Sequence, residues 1–153
     1  GRLEFVGKTK KGALVYVDFA HTPDALKHLL ETLRELTKGE LVLVFGAGGE
    51  RDKDKRKPMG AIAYKYCDLI YVTDDNPRYE DAKAIREQII DSCPIAIEIE
   101  DRAEAITTAI QQAQLDDVVI IAGKGHEQVQ IVRDNYFPFS DFEQASIAIE
   151  LME

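Results

Sequence analysis

Four short loops in this chain carry the residue types that could hold a charged small molecule. "DDNPR" (74–78) offers Asp74, Asp75, Asn76, Pro77 and Arg78 directly after the apolar stretch "CDLIYVT". "GAGGERDKDKR" (46–56) places Arg51 after Gly46, Gly48 and Gly49, glycines that let backbone approach a ligand closely. "AGKGHE" (122–127) brackets Lys124 between Gly123 and Gly125 and adds His126 and Glu127. "DFAHTP" (18–23) contributes Asp18 and His21. A guanidinium presents a planar fork to a carboxylate or phosphate. A carboxylate such as Asp75 or Glu127 accepts from an ammonium group. Lys124 can meet an anion, Asp18 can accept from ribose hydroxyls, and His21 can stack on a base or titrate near neutrality.

Each loop taken singly also reads as ordinary punctuation. Asp, Asn and Pro are turn formers. The Gly-rich loop reads equally as a mobile, solvated charge cluster, "DFAHTP" as a helix-capping turn, and "AGKGHE" as a tight turn into a strand. Taken together they are harder to dismiss. Two guanidiniums (Arg51, Arg78) and two carboxylates (Asp75, Glu127) supply the mixture of charges that a zwitterion such as an amino acid requires.

Familiar phosphate-binding fingerprints do not fit. G-x-G-x-x-G starting at Gly46 would need glycine at position 51, where Arg51 stands, and G-x-x-x-x-G-K-[ST] occurs nowhere. His21, His28 and His126 are not spaced as a metal site, and no structural metal is predicted. Cys67 and Cys93 form no C-x-x-C pair and read as reduced, buried thiols.

The elements that must position these loops alternate in type. Strands are predicted at 13–19, 41–46, 68–74, 95–100 and 117–123, with a short terminal strand or hairpin from "QVQIV" and "YFPF". Helices are predicted from Thr22, a cap followed by Pro23, to Gly39; around 57–66; and over 80–92, 101–114 and 140–152. Leu26, Leu29, Leu30, Leu33 and Leu36 make the apolar stripe of the first helix. Alternating strands and helices imply βαβ units, and near-continuous apolar strands imply burial on both faces. The predicted fold is therefore α/β, a Rossmann-like, mostly parallel sheet with helices on both faces, as a single domain over residues 1–153. In such sheets ligands bind beyond the carboxyl ends of the strands, which is where all four polar loops fall.

Composition narrows the partners. The chain has 153 residues, 45% hydrophobic and 31% charged, with 28 acidic and 19 basic residues and a formal net charge of −9. That balance argues against non-specific binding to nucleic acid or to an anionic membrane surface, while permitting a local basic pocket. No apolar run approaches the ~20 residues of a membrane helix, and no signal peptide is visible. A cytoplasmic protein is predicted.

"VDFAHTPDAL" (17–26), "VFGAGGERDKDKRKPMGAIA" (44–63), "VTDDNPR" (72–78), "RAEAI" (102–106) and "AGKGHE" with "QIV" (122–132) resemble the C-terminal domain of the Mur ligases, in particular those that add diaminopimelate. "GRLE" (1–4) looks like that family's hinge segment. The resemblance runs end to end. It implies an ATP-dependent acid–amino-acid ligase of peptidoglycan synthesis, in which ATP phosphorylates the carboxylate of a UDP-N-acetylmuramoyl dipeptide and the amino group of the incoming amino acid attacks the acyl phosphate. It places the phosphate-binding loop and the Mg2+ ligands on a central domain that this chain lacks, together with a UDP-binding N-terminal domain, so no catalytic residue is expected here. It implies that Arg51, Asp75, Asn76, Pro77, Arg78, Gly123 and Glu127 bind meso-diaminopimelate. Arg78 would be the selective residue, because lysine-adding relatives lack an arginine there. Arg2, Asp18 and His21 would touch the nucleotide. Ala47 and Glu50 depart from the usual cysteine and aspartate, at positions with no expected side-chain role in binding. A monomer is expected.

Three rivals share the fold class. A phosphoreceiver-like module would use Asp74, Asp75 and Lys124, but its acid pair should follow the first strand rather than the third. A plain dinucleotide-binding domain lacks its last glycine. A non-catalytic interaction domain leaves the four polar loops unexplained.

Overall fold

A computed structural model describes residues 3–152. The elements run in the order β1 (Glu4–Lys8), β2 (Leu14–Asp18), α1 (Pro23–Leu36), β3 (Leu41–Phe45), α2 (Arg56–Tyr66), β4 (Leu69–Val72), α3 (Ala82–Ile90), β5 (Ile97–Glu98), α4 (Arg102–Gln112), β6 (Val118–Ala122), β7 (Val129–Val132), β8 (Asn135–Pro138) and α5 (Asp141–Glu150). Six strands form one sheet in the order β1-β2-β6-β3-β4-β5. Strands β2 to β6 are parallel, and β1 pairs antiparallel with β2 at one edge. A β7–β8 hairpin stands apart as a second, two-stranded sheet.

The period-2 alternation of a strand explains why β3, "LVLVF", is apolar throughout. Leu41, Leu43 and Phe45 face the core shared with α1, α2 and α3. Val42 and Val44 face the other core, where Ala105, Ile106, Ala109 and Ile110 of α4 and Ala145, Ala148 and Ile149 of α5 pack. The mostly parallel sheet with helices on both faces thus matches the predicted fold class. Insertion of β6 between β2 and β3 brings the loops after these three strands side by side at their carboxyl ends.

Local signals in the sequence act as expected at several ends. The Thr22 hydroxyl accepts from the Ala25 amide with Pro23 in the first turn, and Asp101 caps α4 by accepting from the Glu104 amide. Three boundaries differ. Helix α1 stops at Leu36 rather than Gly39, because Thr37 is extended and its hydroxyl bonds back to the Leu33 carbonyl at 2.6 Å. Leu36 is left 71% exposed, past the sheet that buries the rest of the stripe. The strand predicted at 95–100 pairs only at Ile97–Glu98, and β1 forms a strand at Glu4–Lys8, where none is predicted and only Glu4 belongs to the hinge-like segment. Cys67 and Cys93 are free and buried, and burial pushes both thiols up.

Candidate functional site

A cleft of ≈ 260 Å³ opens at the carboxyl ends of β2, β3, β4 and β6. Arg51, Asp75, Asn76, Arg78, Gly123 and Glu127 all line it, with His21 and Phe19 at one side. Pro77 does not line it and acts on the backbone instead. Its carbonyl accepts from the Glu80 amide at 3.0 Å, and a Cβ at position 49 would overlap that oxygen. Only glycine permits the approach that lets the Gly49 amide donate to the Asn76 carbonyl at 2.8 Å. Gly123 is the other position that requires glycine: its φ of +117° is left-handed, and a Cβ there would sit 2.9 Å from Asp75 Oδ2.

The hairpin sutures "DDNPR" in place. Arg78 donates its amide to the Ile131 carbonyl (3.1 Å), its carbonyl accepts from Arg133, and Gln130 Nε2 donates to the Asp75 carbonyl. Arg78 has φ of 54°, a conformation that costs a non-glycine residue ~1 kcal/mol or more and persists only where the surroundings over-determine it. Those bonds on both sides of the residue supply that constraint.

Lys124 is the clearest departure from the sequence reading. It faces no external anion. Its side chain is fully buried, and its three N–H donors go to Asn76 Oδ1 (2.8 Å), the Val129 carbonyl (2.7 Å) and Glu127 Oε1 (3.2 Å). Asn76 Nδ2 also donates to Glu127 Oε1 at 3.2 Å. The lysine therefore fixes the amide and the carboxylate that line the cleft. A buried ammonium is tolerated because all its donors are satisfied.

The arginines in and around the cleft are of two kinds. Arg56, Arg86 and Arg102 are buried and paired. Arg56 forks onto both oxygens of Glu80 (2.6 and 2.9 Å), and this guanidinium holds the Glu80 carboxyl at about 2, well below its ordinary value. Arg86 joins Asp74 and Glu98. Arg102 forks onto the buried Asp141 (2.7 and 2.8 Å) and donates to the Asp74 and Ala122 carbonyls, tying the ends of β4 and β6 to α5. Burial alone would ease the proton off Arg102, but Asp141, Asp75 and Glu127 together raise its affinity for it. Arg51 and Arg78 are of the other kind. Neither forms an ion pair among the described residues; Arg78 Nη1 reaches only the carbonyls of Gly49 (3.2 Å) and Asn76 (3.4 Å).

Of the remaining candidates Asp74 and Asp18 stand away from the cleft, whereas His21 lines one side of it. Asp74 turns to the opposite side of its loop, toward Arg86, so Asp74 and Asp75 do not form the shared acidic pocket of a phosphoreceiver. Burial raises the Asp74 carboxyl, opposed by Arg86 and aided by Glu100. Asp18 is buried and its Oδ2 accepts from the Ala20 amide (2.8 Å), away from the cleft lining. His21 is exposed, tilted against Phe19 with ring centroids 4.5 Å apart. Arg2 lies outside the described residues. No group of three potential metal-ligating side chains converges among the described residues. The supporting pairs Arg56–Glu80 and Arg102–Asp141 escaped sequence reasoning. The charged letters were visible, but partners 24 and 39 residues away were not.

Residues 1–125 match the family described as "Mur ligase, glutamate ligase domain". The chain belongs to the Mur ligase family. Glu127 lies just beyond the matched stretch of this Mur ligase domain. UDP-N-acetylmuramoyl-L-alanyl-D-glutamate–2,6-diaminopimelate ligase of Agrobacterium fabrum is 52% identical over 153 residues, covering 100% of this chain and 31% of that protein. The ligase of the same name from Caldanaerobacter subterraneus is 49% identical over 148 residues, covering 94% of this chain and 30% of that protein. A solved structure of a ligase with this name superimposes with a TM-score of 0.92 at 38% identity, over 99% of this chain and 31% of that one. The chain thus spans about a third of the length of these Mur ligase relatives.

Proposed function

We propose that this chain is the C-terminal, amino-acid-binding domain of an ATP-dependent ligase that adds meso-diaminopimelate to UDP-N-acetylmuramoyl-L-alanyl-D-glutamate in peptidoglycan synthesis. The observation that carries the reading is the cleft in which Arg51 and Arg78 lack carboxylate partners while Asp75 and Glu127 line the same wall. Diaminopimelate is two zwitterionic centres joined by an aliphatic stem, and it brings carboxylates for Arg51 and Arg78 and ammonium groups for Asp75 and Glu127.

In this reading Arg78 grips the distal carboxylate and Arg51 stands ready for a second anionic group. Asp75 and Glu127 take ammonium, Asn76 orients Glu127, Gly123 leaves room beside Asp75, and Pro77 sets the backbone that aims Arg78. Burying the far centre directs the near amino group outward, toward an acceptor held by the rest of the ligase. Bound ATP, with Mg2+, supplies the activation of the acceptor carboxylate, mainly on parts of the ligase outside this chain. His21 fits a base at the rim; Asp18 fits a nucleotide contact only if its turn opens. The chain by itself, a single domain without a phosphate-binding loop motif, is expected to be inactive. Its working form is proposed as a cytoplasmic monomer acting on small molecules rather than on nucleic acid or membrane. No described helix is long and apolar enough to cross a membrane.

L-lysine is the discriminating competitor. It lacks the distal carboxylate, and its bare ammonium would face Arg78 with like charge. Calorimetric titration of the chain with meso-diaminopimelate should release binding heat under conditions where L-lysine gives none. Equal affinities for the two would sink the assignment.

A further inference from the structure

We propose that the ion pair between the buried Arg56 and the partly exposed Glu80 is a positioning device that sets the spacing of the two cleft arginines, and through it the preference for an amino acid with a second carboxylate. This rests on the reading of the cleft as an amino-acid site. Arg56 is 1% exposed, and its guanidinium donates to both Glu80 oxygens, to Gln88 Oε1 (3.0 Å) and to the Gly48 carbonyl (3.0 Å). Glu80 in turn accepts from the Glu50 amide at 3.0 Å, with Lys53 Nζ at 4.0 Å. Gly48 and Glu50 flank Gly49, whose amide is bonded to Asn76 and whose carbonyl accepts from Arg78. Arg51 is the next residue along. Glu80 belongs to the loop that carries Arg78, and Arg56 to the helix that follows the loop carrying Arg51. One ion pair therefore staples the two arginine-bearing loops together without itself lining the cleft. Glu50 adopts φ of 57°, a left-handed backbone held by that same carboxylate.

Loss of the staple lets the loops separate, and a misplacement of about 1 Å costs up to ~100-fold in rate. The test uses the full-length ligase carrying this chain, with Glu80→Gln, which keeps the shape and removes the charge. We expect kcat/KM for meso-diaminopimelate to fall at least tenfold, KM for ATP to stay unchanged, and the ratio of kcat/KM for meso-diaminopimelate over L-lysine to fall with it, since lysine cannot use the grip on a distal carboxylate. Glu80→Asp should restore part of the ratio. In an Arg78→Ala background Glu80→Gln should lower the ratio no further, because it acts through Arg78. The ratio is read on one preparation with both amino acids, so it does not depend on the fraction folded. Equal losses for both amino acids, or full additivity with Arg78→Ala, overturn the staple. If Arg78→Ala itself leaves the ratio unchanged, the amino-acid site falls and the staple with it; if Arg78→Ala lowers the ratio and Glu80→Gln does not, the staple alone falls.

Discussion

Adjacent residues of one loop open onto hollows of opposite design. Asp75 faces the cleft of ≈ 260 Å³, whereas Asp74 faces a groove of ≈ 480 Å³ over the ends of β4 and β5. The groove is larger and carries more net charge: Asp74, Glu98, Glu100, Asp101 and Glu104 line it against the one cation Arg102. Size and net charge would favour it over the cleft. The cation in the groove's lining, Arg102, is however already committed to Asp141, and two of its acids, Asp74 and Glu98, are paired with Arg86. Lys124, behind the lining of the smaller cleft, is committed to Glu127, whereas the lining cations Arg51, Lys55 and Arg78 pair with no acid among the described residues. Accounting for partners, rather than counting charges, separates a structural network from a candidate ligand site.

That contrast breaks most sharply at its most buried pair. Asp141→Ala leaves the Arg102 guanidinium buried without its carboxylate, and breaking such a pair costs about 3–5 kcal/mol. Urea unfolding should show this loss; a change below ~1 kcal/mol would mean that Arg102 finds water or another acid. Next comes a matched pair of substitutions across the two hollows. Arg78→Ala should change stability by no more than about 0.5 kcal/mol, as for other partly exposed sites. It should weaken meso-diaminopimelate binding by one charge-assisted hydrogen-bonded contact, about 1.5–3 kcal/mol or roughly 10- to 150-fold. Glu98→Gln in the groove should leave that affinity unchanged, and a comparable loss there would erase the distinction between the hollows. The smallest effect concerns acid. Arg56 depresses the folded-state pKa of Glu80 to about 2 from an ordinary 4.5, so its contribution is complete above pH 4.5 and is lost as pH falls toward 2. Glu80→Gln should flatten the stability–pH curve across that window relative to the parent chain, and an unchanged slope would show that the pair is not intact in solution.

Much of this was legible beforehand, for identifiable reasons. Helix starts are written locally, which is why Thr22 and Asp101 were readable as caps. Strands buried on both faces need apolar residues at every position, so β3, β4 and β6 stood out. Short edge strands lack that signature, and β1, "EFVGK", with its half-buried pattern, was not seen as one. Candidate residues on four separate loops converged because a parallel sheet sends every strand's carboxyl end to the same edge.

By itself, then, the sequence determined the alternation of elements, the apolar faces of the strands, the edge on which the polar loops meet, and the family. These are local or periodic properties, carried by neighbouring letters. Only the tertiary structure decided the direction of each charge. Lys124 turns inward to hold Asn76 and Glu127, Asp18 bends back on the Ala20 amide, and Asp74 and Asp75 part to opposite sides. Whether a charged side chain holds the fold or remains free for a ligand depends on partners tens of residues away, and only the folded chain brings them within 3 Å of Arg56 and Arg102.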